Sequence, residues 1–492
     1  MPLKNLVPSL LPIPRFAGEP EELTLPHARK IFALRNVHFR NVKAVGFDMD
    51  YTLSHYRSPE IDELAFKKAS RLLVREKAYP HWLLEQKFDP AFAIRGLVLD
   101  GIRGNLLKLN SERRVVRANH GSRPMDQEAI EAAYGRRRLS AGAKGFRSID
   151  THFEIPESHL YAVLVDACNA GLIHGKNYLD IFQDVRWSID TAHRNGDMKA
   201  EILQNREFFI LRDPELPRAL DRWKRAGKKL FVLSNSEWHF TEGVLSYLLD
   251  GQDPAYPNWR DYFDLVVVSA RKPVFFQETP LAEALPGEDR AFNGGNAGWL
   301  EDKLGAFGEE ILYIGDHIYG DILRSKKNVS WHTCLLIPEL GTTLQSLEDH
   351  AEDLQDFLRC ETLRRREEQQ LSMLQDKLDR HKEHRHVLAV RLSPEALHAL
   401  DHEAAQMKEE FKALAAKKQE HENFVLQVDQ RMEAAFNKRW GSIFREGYEQ
   451  TRFADQIQQY ACAYTGRISN LYLMDPDAAL YAPVPTMPHE RI

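Results

Sequence analysis

Residues 42–50 read Val42-Lys43-Ala44-Val45-Gly46-Phe47-Asp48-Met49-Asp50, a short apolar run that breaks directly into two carboxylates two positions apart. A run of this length and composition is a buried strand, and the polar cluster marks its carboxyl end. The pattern recurs three times. Residues 230–233 run into Ser234-Asn235-Ser236, residues 265–268 precede Ser269-Ala270-Arg271-Lys272, and residues 311–314 precede Gly315-Asp316-His317. Helical patterns at 215–226 and 298–305 fall between them. The alternation predicts an α/β fold with a doubly wound parallel sheet, which binds ligands at the carboxyl ends of its strands. All four polar clusters are expected to meet there.

Working outward, Ser234 lies 186 residues beyond Asp48, where a parallel crossover needs only about a dozen. A large unit is therefore inserted. The expected layout is a discontinuous core (36–56 and 205–345) interrupted by a cap domain at 57–204, whose apolar stretches include 97–99 and 160–165. A smaller insertion is expected between Pro273 and Gly295, where Pro280, Pro286 and Gly287 mark turns. After Pro338 charge density rises. Leu397, Leu400, Ala404, Met407, Phe411 and Leu414 step by three and four, continuing through Val425, Val428, Met432 and Ala435, which predicts a helical hairpin at 346–440. One helix should end near Arg391 and the next begin at Ser393-Pro394, an N-cap followed by a first-turn proline. Arg364-Arg365-Arg366, ringed by Glu361, Glu367 and Glu368, reads as a solvated helix face. Residues 441–492 carry Phe444, Tyr448, Phe453, Tyr460, Tyr464, Tyr472 and Tyr481, a segment expected to pack on the core or on a neighbouring subunit.

Composition narrows the class. The 492 residues are 43% hydrophobic and 28% charged, an ordinary globular balance that excludes wholesale disorder. No stretch reaches the ~18 apolar residues of a membrane span, and the proline-rich start (Pro2, Pro8, Pro12, Pro14) lacks a signal-peptide pattern. Cys168, Cys334, Cys360 and Cys462 are far apart and form no zinc-type spacing. A cytoplasmic protein without membrane or nucleic-acid partners is expected, since a net charge of -6 also argues against a polyanion binder. An anionic substrate must then be held by local charge.

The strand ends suit phosphoryl transfer. Of Asp48 and Asp50, one can attack phosphorus while the other protonates the departing alkoxide and later activates water. Two such close carboxylates raise one pKa unless a cation offsets them. Asp316 and Asp321 complete an all-oxygen site suited to Mg²⁺, and Ser234, Asn235 and Lys272 supply fixed donors for the phosphoryl oxygens. The plainer alternative is that each cluster is a strand-end turn, but four in order on one sheet point to a site.

These residues also carry a resemblance. FDMDYTL from Phe47, Ser234, Lys272 and GDHIYGD from Gly315 are similar to the four motifs of haloacid-dehalogenase-type phosphatases, and the chain more closely resembles the cytosolic purine 5'-nucleotidases, which act on IMP and GMP. The supporting strings are RGLVLD from Arg95, GNLLKL from Gly104, FQDVR from Phe182, ARKPVFF from Ala270, ILYIGDHIYGDILRSKK from Ile311, FREGYEQTRFADQIQQYA from Phe444 and MPHE from Met487. The resemblance implies Asp48 as nucleophile and Asp50 as general acid/base. It implies Mg²⁺ on the Asp48 side chain, the Asp50 main-chain carbonyl and Asp316, with Asp321 supporting, and phosphate on Ser234, Asn235, Ser236 and Lys272. Purine and ribose contacts are implied for Phe153, which would stack on the base, and for Glu154, Arg186, Asp190, His193 and Lys199. Without the resemblance, Arg186, Asp190 and His193 at i, i+4 and i+7 also read as a surface ion-pair stripe. Glu154 departs from the family, which has an amide there, because an ionised carboxylate cannot donate to a base.

The expected activity is a Mg²⁺-dependent 5'-nucleotidase for purine nucleoside 5'-monophosphates, working through an aspartyl-phosphate, with phosphotransferase activity as a secondary outcome and a homo-oligomeric (dimer or tetramer) state. The alternatives are a phosphatase for another phosphomonoester and an interaction protein whose working part is the hairpin.

Overall fold

The structure is a computed structural model that describes residues 27–483 apart from 136, 389–391, 434–435 and 448. The proline-rich start, Arg391, Ala435, Tyr448 and the string from Met487 lie outside the described residues.

Nine strands form the main sheet: β1 (Phe32–Ala33), β2 (Ala44–Phe47), β3 (Lys229–Leu233), β4 (Leu265–Val268), β5 (Ala282–Ala284), β6 (Ala291–Gly294), β7 (Ile311–Gly315), β8 (His332–Leu336) and β9 (Ala463–Thr465). Their spatial order is β1-β9-β8-β7-β2-β3-β4-β6-β5. The seven strands from β9 to β6 are parallel, and β1 and β5 close the edges antiparallel. Full burial on both faces explains why β2, β4 and β7 read as unbroken apolar runs. Leu230 and Val232 share a core with Leu220 and Trp223 of one helix and Val244 and Leu245 of another; Phe231 and Leu233 turn to the opposite face, against Leu300 and Leu304. Helices thus cover both faces of the sheet. Chain order reverses at β2, which lies between β3 and β7, so the crevice of a doubly wound sheet opens above Asp48.

The inserted stretch carries its own five-stranded antiparallel sheet, centred on Asn105–Leu109, and the helices α1 (Glu60–Lys77), α2 (Ile155–Asn169) and α3 (Tyr178–Arg194). Phe66, Leu99, Leu106, Tyr161, Val165 and Val185 form its core. Two neighbours blur its edges. Met198 and Ile202 belong to the main-sheet core, and Trp440, far along the chain, is sealed inside the inserted core with its indole N–H on the carbonyl of Phe92 at 2.7 Å.

Three sequence expectations need correction. The stretch 273–295 is no separate insertion, because Ala291–Gly294 pairs parallel with β4 and Ala282–Ala284 folds back on it, extending the main sheet. Its proline and glycine turn signals mark a hairpin within that sheet. The hairpin at the C-terminal side is formed by α4 (Ala351–Leu388) and α5 (Pro394–Glu433), each about 57–60 Å long at 1.5 Å per residue. Within it Arg365 and Arg366 are exposed, but Arg364 is buried and bonds Glu361 through Nε at 2.8 Å. A spacing argument sees the charges of one helix and misses the partner helix that covers them. Residues 463–465, part of a segment expected to pack on the core or on a neighbouring subunit, enter the main sheet as β9 beside β8.

Candidate active site

The loop after β2 fixes where its two carboxylates point. Asp48 continues the ladder, donating its N–H to Ile314 at 2.9 Å, while Thr52 and Ser54 close back on the carbonyl of Met49. Asp48 is thereby held at the sheet end, 2.8 Å from Lys272 Nζ. Asp50 turns the other way and accepts from Ser236 Oγ at 2.7 Å and from the hydroxyl of Tyr56. Neighbouring carboxylates are thus separated into different settings, one against a cation and one between two hydroxyls.

Lys272 arrives on the loop after β4, where Ser269 and Arg271 adopt left-handed conformations (φ 48° and 58°). Such sparsely populated backbone persists when its surroundings over-determine it. Here Asn235 does so, accepting the Lys272 N–H at 2.6 Å and donating to its carbonyl at 3.1 Å. The Asn235 side chain therefore shapes the loop. Ser234 is fully buried and its Oγ accepts from the N–H of Ser236 at 3.0 Å.

After β7 a single wide turn, Ile318–Leu323, a π-helix, brings Asp321 back over the sheet. Gly315 permits this, since a Cβ there would lie 2.5 Å from Asp321 Oδ2. Asp321 accepts from Lys272 at 2.7 Å and from Tyr313 at 3.2 Å. Asp48, Asp316 and Asp321 each place one carboxylate oxygen within 4.8 Å of the others, and all three are buried. Burial pushes the Asp48 carboxyl up to about 7, Lys272 opposing and Asp321 and Asp50 reinforcing. Burial, then Asp48 and Asp321, holds Asp316 well above the carboxylate range. Burial disfavours the Lys272 cation, but Asp321 and Asp48 outweigh it and raise its pKa. One ammonium pairs with Asp48 and Asp321 while Asp316 adds a third carboxyl, and the raised values of Asp48 and Asp316 reflect burial together with that shortage of positive charge. An all-oxygen set of this kind fits a hard divalent cation.

A cavity of about 400 Å³ adjoins the cluster. Asp50, Asn235 and Ser236 line it together with Phe153, Arg186, Asp190, His193 and Lys199. Arg186 bonds Asp190 at 2.5 Å and Glu157 at 2.9 Å, so the ion-pair stripe exists, but it faces the cavity. Phe153 meets His193 edge-on at 5.1 Å. Burial, helped by Lys199 and Arg186, pushes His193 down to about 4, and its Nε2 is buried without a hydrogen-bond partner. Lys199 pairs with Glu237. Glu154 is buried and held by Arg147 and by the N–H of Asp150 at 2.9 Å. Burial opposes its ionisation, yet Arg147 and other nearby cations outweigh it and lower its pKa.

The four strand ends and the cap stretch that the sequence singled out therefore converge. Tyr56, Tyr313, Thr151, Arg95 and Glu339 were not anticipated. Tyr313 had a readable signal, because a tyrosine inside a doubly buried strand must find a partner for its hydroxyl; that partner set is Lys272, Asp321 and the carbonyl of Leu233. Tyr56 bonds Asp50 from six positions away, whereas Thr151, Arg95 and Glu339 act across sequence separations that no local pattern reveals.

Comparison with known proteins decides the lineage. The model of the 5' nucleotidase family matches residues 31–492. The chain belongs to the 5' nucleotidase family. As a family member it is an enzyme, a nucleotide phosphatase of the phosphomonoester-hydrolysing class. It is 27% identical to a 5'-nucleotidase domain-containing protein of Dictyostelium discoideum over 94% of this chain and 74% of that one. It is 26% identical to 5'-nucleotidase domain-containing protein 2 of Rattus norvegicus, covering 99% and 83% of the two chains, and 27% identical to the Homo sapiens protein of the same name, covering 96% and 87%. Among solved structures, a predicted phosphoglycolate phosphatase from Haemophilus somnus aligns at TM-score 0.27 and 15% identity over 60% of this chain and 85% of that one. The fold assignment rests on the strand order above. Among the described residues no helix is long and apolar enough to cross a membrane.

Proposed function

We propose that this family member is a Mg²⁺-dependent 5'-nucleotidase that hydrolyses purine nucleoside 5'-monophosphates of the IMP and GMP type. The observation that carries the reading is the convergence of Asp48, Asp316, Asp321 and Lys272 at the strand ends, beside a cavity lined by Asp50, Ser236, Phe153, Arg186 and His193.

Asp48, the Asp50 main-chain carbonyl and Asp316 would hold Mg²⁺, with Asp321 supporting. When bound, the ion offsets the carboxylate charge and polarises the phosphoryl group. Asp48 attacks phosphorus, forming the aspartyl-phosphate as the bond to the nucleoside 5'-oxygen breaks. Asp50, aimed by Ser236 and Tyr56, gives that oxygen its proton. In the second half Asp50 takes a proton from water, which attacks phosphorus and frees Asp48 and inorganic phosphate. Lys272 stays cationic beside Asp48 and Asp321 and, with Ser234, Ser236 and the loop shaped by Asn235, holds the phosphoryl oxygens. Phe153 presents a ring for the base, and Arg186, Asp190, His193 and Lys199 frame the nucleoside. A nucleoside that replaces water in the second half accepts the phosphoryl group, which makes phosphotransfer the accompanying activity. The reading includes a cytoplasmic location and a homo-oligomer of two or four copies, the latter checked by light scattering.

Glu154 favours a second reading, a phosphatase for another phosphomonoester, because a carboxylate held by Arg147 does not donate to a 6-oxopurine. A panel of phosphomonoesters with phosphate-release readout separates the two. IMP and GMP turning over no faster than sugar phosphates removes the purine assignment. Asp48→Asn should lower phosphate release at least about a thousandfold with unchanged circular dichroism; retained turnover removes Asp48 from the nucleophile role.

A further inference from the structure

Three consecutive side chains at 151–153 reach three different parts of the molecule. Thr151 Oγ1 donates to Asp316 Oδ2 at 3.1 Å. His152 Nε2 lies 3.2 Å from Glu339, and its ring stacks on Tyr51 at 4.9 Å. Phe153 lines the cavity. Thr151 and Asp316 are 165 positions apart, one on the inserted stretch and one at the end of β7, and both are buried.

The main chain of Asp316 is gripped from the same side. Arg95, also from the inserted stretch and 1% exposed, donates to the Asp316 carbonyl at 3.1 Å and is fixed on both oxygens of Glu339 at 2.8 and 2.6 Å. The strand end delivers Asp316, but its orientation is set by a hydroxyl and a guanidinium from outside the core. Thr151 engages one carboxylate oxygen and leaves the other without a hydrogen-bond donor among the described residues. Groups that orient a ligating carboxylate matter nearly as much as the ligand, and their loss typically weakens metal binding about 10–100-fold.

We propose that Thr151 is a positioning residue for Asp316, holding the carboxylate in the rotation that completes the metal cluster, so that the inserted unit is part of the metal site. The inference rests on the Mg²⁺-dependent reading above. It also gives substrate binding a route to the chemistry, since Phe153 and Thr151 belong to one turn.

The test uses the full chain. Thr151→Val removes the hydroxyl at nearly constant volume and Thr151→Ser keeps it. Isothermal titration of Mg²⁺ into each protein without substrate reads the site independently of turnover. The expected result is a loss of Mg²⁺ affinity of about tenfold or more in Thr151→Val, with Thr151→Ser within about twofold of the parent and both variants unfolding near the parent midpoint. Unchanged affinity in Thr151→Val overturns the role of Thr151 and leaves the phosphatase reading standing. Equal loss in both variants also overturns it, because the hydroxyl is then not what matters. A parent that binds no Mg²⁺ and releases no phosphate brings down the reading itself and this inference with it.

Discussion

At the end of the main sheet Lys272 lies 2.8 Å from Asp48 and 2.7 Å from Asp321, with side-chain exposures of 4%, 12% and 1%. Near the far end of the helical hairpin Arg385 meets Asp401, and those side chains are 48% and 50% exposed. By distance the two assemblies are alike. They differ in what surrounds them. Water already solvates the hairpin pair and takes over when the pair breaks, so such contacts contribute little. Around Lys272 the carboxyl partners are largely shielded from water, and a buried charge without compensation is expensive. The contrast separates a charge arrangement that merely decorates a surface from one that the fold must be built to retain.

The largest test of that contrast is Lys272→Met. It strands Asp48 and Asp321 without their cation, and removing one partner of a buried pair costs about 3–5 kcal/mol. Denaturant unfolding should show that loss, and phosphate release should vanish with it. An unchanged midpoint would mean that the cluster is solvated like the hairpin.

A buried group that avoids charge sharpens the comparison from the other side. His159, inside the inserted core, accepts the Asp89 N–H on Nδ1 at 3.1 Å and packs against Phe66 and Phe92. Burial pushes it down to about 4, Asp89 opposing. The unfolded chain takes up a proton near pH 6.5 and the folded chain does not. Its stability contribution is therefore complete above pH 6.5 and is lost as pH falls toward 4, about 2 kcal/mol between pH 7 and pH 5. Urea unfolding at the two pH values measures it. His159→Gln should shrink the difference by about that amount, His193 keeping its own share, and a slope unchanged by the substitution would assign the pH dependence elsewhere. The smallest effect is expected at the exposed pair: Arg385→Ala should leave the unfolding midpoint where it was, as thermal melts of the two proteins would show.

The same distinction governs what could be read in advance. Residues 42–50 and the three later strand ends were legible because a parallel strand buried on both faces must be an apolar run, and chemistry must start where burial ends. The start of α5 at Pro394 was legible for an equally local reason, the N-cap and first-turn pair Ser393-Pro394. Arg364 was misread because the helix that buries it is distant in sequence. Residues 273–295 were misread because turn residues look the same whether a hairpin stands off a sheet or extends it. Thr151 gave no signal at all, since its role exists only where Asp316 lies against it.

By itself the sequence determined the class of fold, the four loaded strand ends and the kind of chemistry that paired carboxylates with a lysine can perform, because strand burial and side-chain chemistry are local properties. Only the tertiary structure decided which charges are desolvated, which hydroxyls and guanidinium groups orient them, and that the inserted unit reaches into the carboxylate cluster. Those depend mainly on contacts between residues far apart in the chain, such as Lys272 with Asp48 and Thr151 with Asp316, and the free energy of a charge is set by what encloses it.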